Sequence, residues 1–160
     1  MDNILIFVLV DFLHNLFTVF WIGGQIVLLL IILPAVKNTL GKNKESKNLL
    51  RVIKNRMSIG VYICLIGFAV TGLMMTHRAP LASQIISFEN NYSILLSLKH
   101  FIFIGMVAIS LFRSRLIDMF KLEMPKKEKI NVLLLVVNVL LGISVLLLSS
   151  YLGVLSSIAE

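Results

Sequence analysis

Thirteen of the fifteen Lys and Arg residues lie in two polar stretches, seven between Lys37 and Arg56 and six between Arg113 and Lys129, and strongly apolar segments surround both. Few folds are open to a chain laid out in this way, because basic side chains near the ends of apolar spans are retained on the cytoplasmic side of a membrane. The stretch from Arg78 to Ser93 carries one Arg, one Glu and little other charge. It belongs on the opposite side, so both termini are expected to face outward.

Composition excludes the main competing classes. A content of 58% hydrophobic and 14% charged residues with a mean hydropathy of +0.96 is not that of a soluble domain of 160 residues. A net charge of +7 elsewhere suggests nucleic acid. Here the basic residues flank the spans, where anionic lipid headgroups account for them, so the expected partner is the bilayer of a cell membrane and not a nucleic acid. The single cysteine, Cys64, lies inside a span and has no internal disulfide partner, which leaves packing or soft-metal ligation as its roles. The sequence contains no phosphate-binding Gly-Lys-Ser/Thr loop, Cys-x-x-Cys pair, His-Glu-x-x-His helix or nucleophile elbow, so hydrolytic chemistry is not expected.

The apolar segments predict spans at about 4–36, 57–77, 93–112 and 130–154, with cytoplasmic loops at 37–56 and 113–129. The first begins with Asp2 and no basic leader, so it reads as a retained span and not a cleaved signal peptide. It is longer than a hydrocarbon core of ~30 Å requires, so it must tilt or project. Pro34 is expected to close the first helix, Pro80 to follow the second and Pro125 to precede the fourth. Residues 48–56 and 116–124 can extend their neighbouring helices along the membrane surface. Backbone polar groups in hydrocarbon must be satisfied within their own segment, so the expected fold is all-α: a single-domain, up-down integral membrane four-helix bundle. Small residues recur at helical spacing, Gly60, Cys64, Gly67 and Thr71 on the second helix and Gly142, Ser149 and Gly153 on the fourth. They serve close helix packing or leave room for a flat cofactor.

Function is argued from the polar residues inside the spans, because an ionisable group in lipid needs a partner, a cavity or a ligand. Asp11, His14, Thr18, Trp21 and Gln25 follow helical spacing and are expected on one inward face. An internal network, with Asp11 bonded to His14 and Thr18 to a carbonyl, is the simplest role for that face. All three histidines fall in the expected outer half: His14 ~15 Å inward from Ile4, His77 at the outer end of the second span, and His100 ~10 Å inward from Ser93. Asp11, Met74, Met75 and Lys99 lie beside them.

Two metal chemistries suit this cluster. Copper takes imidazole together with soft sulfur, and Met74, Met75 and His77 lie within one turn, with Met106 and Cys64 deeper. Haem takes two opposed histidines, and His14 and His100 sit at similar depth on helices that are diagonal in an up-down bundle, with Arg78 and Lys99 placed for the propionates. Packing explains each methionine equally well, and snorkelling to the interface explains His77 and His100.

The segment His14-Asn15-Leu16-Phe17-Thr18-Val19-Phe20-Trp21-Ile22-Gly23-Gly24, continuing to Leu33-Pro34-Ala35-Val36, resembles the histidine, tryptophan, double-glycine and final proline pattern of CopD-like copper-resistance membrane proteins. A basic loop then leads to Gly67-Phe68-Ala69-Val70-Thr71-Gly72-Leu73, similar to that family's Thr-Gly element. Leu95-Leu96-Ser97-Leu98-Lys99-His100 resembles its leucine-rich stretch before a lysine. The resemblance covers most of residues 12 to 115 and marks His14, Trp21 and Lys99 as family-like positions. It implies copper uptake, export or delivery to a periplasmic or extracellular metal-binding partner. Larger members of that family have more spans. Four-helix chains with inward histidines also look like membrane b-type cytochromes and small haem-biosynthesis proteins. The expectation is a metal centre in the outer half, handling copper, with His14, His77, His100, Met74 and Met75 as candidate ligands. The alternatives are a haem b protein, which allows quinone-linked redox activity, and a metal-free accessory subunit in a homo-oligomer or a larger membrane complex.

Overall fold

The long apolar segments satisfy their own backbone hydrogen bonds by forming four helices, and no strand occurs among the described residues. The computed structural model describes residues 2–41, 43–76, 90–116 and 124–158. Helix α1 occupies residues 2–40, α2 is Lys44–Thr76, α3 is Asn91–Leu111 continued by a wide turn over Phe112–Leu116, and α4 is Met124–Ile158. All four are long and apolar enough to cross a membrane. Helix α1 packs against α2 and α4, and α3 packs against α4, as an up-down bundle requires. Asp2, Thr76, Asn91 and Ile158 therefore lie at one end, which the charge distribution assigns to the outer side.

The helices outrun the apolar spans. Helix α2 begins at Lys44, so most of the basic stretch before residue 57 is helical, and Asn43 caps it by accepting from the Ser46 amide at 2.9 Å. Helix α3 starts with a capping box in which Asn90 accepts from the Ser93 amide and Ser93 accepts from the Asn90 amide. Pro125 falls in the first turn of α4, where its missing N–H is no loss. Pro80 lies outside the described residues.

Pro34 does not close α1, which continues to Leu40. The reason is local: the helix widens into π turns over Val19–Gly23 and Leu28–Ile32, and the second of these ends immediately before Leu33–Leu40. A wide turn relieves the clash of the Pro34 ring with the preceding carbonyls, and the missing N–H then costs little.

The core is a set of interlocked rings. Trp21, Phe68 and Phe103 contact one another at centroid separations of 5.3 to 5.5 Å, and they join α1, α2 and α3. Cys64 and Met106 are buried in the same cluster. Two glycines set the helix spacing. A side chain at Gly67 would collide with the Phe17 ring, and one at Gly142 would press on Ile22 and the Met106 methyl. At Gly60 and Gly153 an added Cβ meets open space, so the small-residue stripes pack helices only in part. Outside this core the surface is apolar: Leu5 is 76% exposed, Val19 68% and Leu147 66%, a pattern suited to lipid.

Candidate functional site

His14 lies on α1 two turns outward of Trp21, half-buried, with its ring edge-on to Phe68 at 5.1 Å. Its Nδ1 is 2.9 Å from the hydroxyl oxygen of Thr71 on α2, a residue 3% exposed. The Thr71 hydroxyl gives its own proton to the Gly67 carbonyl at 2.7 Å. That oxygen can then only accept, so Nδ1 of His14 carries the proton and Nε2 of the neutral ring keeps its lone pair. His100 is held by another route. Its Nδ1 lies 2.7 Å from the Leu96 carbonyl, which can only accept, so Nδ1 carries a proton and Nε2 is the nitrogen left for another partner. Each imidazole is oriented through one nitrogen and presents the other, the arrangement that metal-binding histidines use.

Around His14 the five-residue stripe on α1 divides. Trp21 and Gln25 are buried, and His14 and Thr18 are half-buried. Thr18 donates to the His14 carbonyl at 2.9 Å, as expected. Asp11 corrects the expectation: it is exposed and takes a long hydrogen bond from Asn15, not from His14. Asp11 stands ~60° round the helix from His14, which is enough to carry it past the edge of the buried face. Asp11 and Lys99 both lie within electrostatic reach of the His14 ring. Trp21 is buried and its indole N–H has no acceptor among the described residues.

The sulfur atoms fall into two groups. Met74 and Met75 are 43% and 36% exposed and belong to the surface of α2. Cys64 and Met106 are 6% and 1% exposed and line the interior inward of His14. His77 and Arg78 lie outside the described residues. Among the described residues, no three His, Cys, Asp or Glu side chains converge.

Neutral imidazole nitrogens of this kind suit haem iron and copper alike as donors. Directly inward of His14 the bundle is filled by the rings of Phe17, Phe68, Trp21 and Phe103, with the Phe17 ring pressed against Gly67. Cys64 and Met106 are buried further inward in the same packed cluster as these rings.

A second polar cluster lies toward the basic end, where only Gln25 was visible to sequence reasoning. Asn138 on α4 is fully buried and its Nδ2 donates to Gln25 Oε1 at 2.8 Å and to Ser110 Oγ at 2.9 Å, tying α4 to α1 and α3. Arg113 Nε donates to Asn131 Oδ1 at 3.0 Å, and Tyr62 and Ser114 share a hydrogen bond of 2.8 Å. An asparagine within the most apolar span was the available signal. No family model, curated protein or solved structure matches the chain.

Proposed function

We propose that this chain is an integral membrane protein that handles copper through a site in the outer half of the bundle, with His14 as the primary ligand and His100 as the second. The observation that carries the reading is the chain of hydrogen bonds from His14 Nδ1 through the Thr71 hydroxyl to the Gly67 carbonyl, which supports a ring held with Nε2 ready to bind a metal. Cuprous ion is the substrate class favoured by this donor set. Imidazole receives it near the outer end, and Cys64 and Met106 continue the path toward the middle with thiol and thioether sulfur. The likeness of the His14 to Val36 segment to CopD-like proteins points the same way. Exchange with a metal carrier on the outer side completes the role.

A second reading rests on Asp11. An exposed carboxylate on an apolar helix face is costly in lipid, and a neighbouring subunit covering that face would relieve the cost. The copper site and such an assembly are compatible.

The test is to purify the protein in detergent and record its metal content and optical spectrum. Copurifying copper that is lost in His14→Ala supports the proposal. A Soret band lost in His14→Ala or His100→Ala replaces copper with haem. A colourless, metal-free protein that also fails to take up added cuprous ion leaves the accessory-subunit reading.

A further inference from the structure

The polar cluster at the basic end borders a half-open cavity of about 40 Å³ between α1, α2 and α3, lined by Gln25, Lys54, Ser58, Ser110, Arg113 and Ser114 among others. One buried water occupies ~10–15 Å³ measured in this way, so the space holds about three waters or one tetrahedral oxyanion.

The hydrogen bonding around the cavity leaves several donors without acceptors, while Asn138 Oδ1 beside it is a buried acceptor that has no partner among the described residues. Gln25 Oε1 and Ser110 Oγ both receive protons from Asn138. Ser114 gives its proton to the Leu111 carbonyl and so accepts from Tyr62, and Ser58 gives its proton to the Lys54 carbonyl. What remains is the Gln25 amide NH2, the Ser110 hydroxyl proton and the terminal nitrogens of Arg113, none of which has an acceptor among the described residues. The Arg113 guanidinium is fixed through its Nε on Asn131, which leaves its outer edge in the geometry that grips two oxygens of a phosphate. Lys54 adds a second positive charge from α2. The two positive charges of Lys54 and Arg113 disfavour a cation here, whereas an anion finds donors on several sides.

We propose that this cavity binds a phosphate-bearing anion, gripped by Arg113 and Lys54 and oriented by the Gln25 amide and the Ser110 hydroxyl. The site sits where the charge distribution places the cytoplasmic face of the bilayer, and basic pockets between helices on that face recognise phosphorylated headgroups. The same chemistry accepts a lipid phosphate or a free one.

Two probes distinguish the sources. The full chain in detergent is titrated with inorganic phosphate against chloride at equal ionic strength, with the thermal midpoint as readout. In parallel, the chain in phosphatidylcholine nanodiscs with and without phosphatidic acid is examined by native mass spectrometry for retained lipid. Saturable stabilisation by inorganic phosphate supports the site and assigns a free anion. Retention of phosphatidic acid without a response to inorganic phosphate supports it and assigns a headgroup. In either case Arg113→Gln is expected to weaken binding at least ten-fold, while Arg51→Gln, an exposed basic residue on the same side, leaves it unchanged. Should Arg113→Gln fail to fold, Lys54→Gln carries the same expectation. No saturable binding of either probe, or an equal loss in Arg51→Gln, overturns the proposal.

Discussion

Replacing Thr71 by Val exchanges a hydroxyl for a methyl of nearly the same volume at a buried position, and so isolates the hydrogen bond to His14. Two losses follow. The His14 Nδ1–H loses its acceptor and the α1 to α2 link loses one interhelical hydrogen bond, a contact worth ~0.6 kcal/mol on average and up to ~1.7 in membrane proteins. Stability is expected to fall by about 1 kcal/mol in a denaturant titration followed by circular dichroism. The larger effect is on the metal. Without its acceptor the ring is free to rotate and to exchange tautomers, and loss of such an orienting partner typically costs ~10–100-fold in metal affinity. Competition against a chromophoric cuprous chelator measures this directly. Thr71→Ser keeps the hydroxyl and is expected to retain affinity close to that of the unaltered protein. The reasoning is refuted if Thr71→Val binds copper as tightly as the unaltered chain while His14→Ala does not bind it, because the ring would then need no help from α2.

Three further outcomes are expected. Gly67→Ala drives a methyl into the Phe17 ring and should destabilise the bundle by ~1–3 kcal/mol, a loss that Phe17→Leu in the same chain partly relieves in thermal melts. Asn138→Ala removes both bonds that tie α4 to α1 and α3, and a drop of ~1–2 kcal/mol in the same unfolding assay is expected. In a Cys64→Ser background, cysteine at Lys47 should react with a membrane-impermeant thiol reagent only after the cell is opened, and cysteine at Asn91 in intact cells. The reverse pattern would invert the orientation read from the basic loops.

The fold was legible because hydrocarbon imposes one rule on every backbone group, and four apolar runs separated by basic loops leave one way to obey it. Helix ends were less legible. Hydropathy reports where lipid begins and not where backbone hydrogen bonding stops, so α2 starts at Lys44 inside the basic stretch. Pro34 misled for a related reason: a wide turn upstream absorbs its ring, and nothing in Leu28-Leu29-Leu30-Ile31-Ile32 announces that turn. On α1, spacing placed His14, Trp21 and Gln25 inward correctly and Asp11 wrongly, because a stripe drifts round the helix and a member at its end can fall off the buried edge. The role of Thr71 was hidden, since its value lies in a partner on another helix. Asn138 went unread although it is a polar residue in an apolar span, and its two partners lie on helices that sequence spacing cannot align.

X-ray absorption of the copper-loaded protein tests the outer site most directly. The account predicts imidazole scattering from two histidines on the copper, reduced to one in His14→Ala and in His100→Ala. A spectrum without imidazole scattering, or one that neither substitution alters, would contradict it.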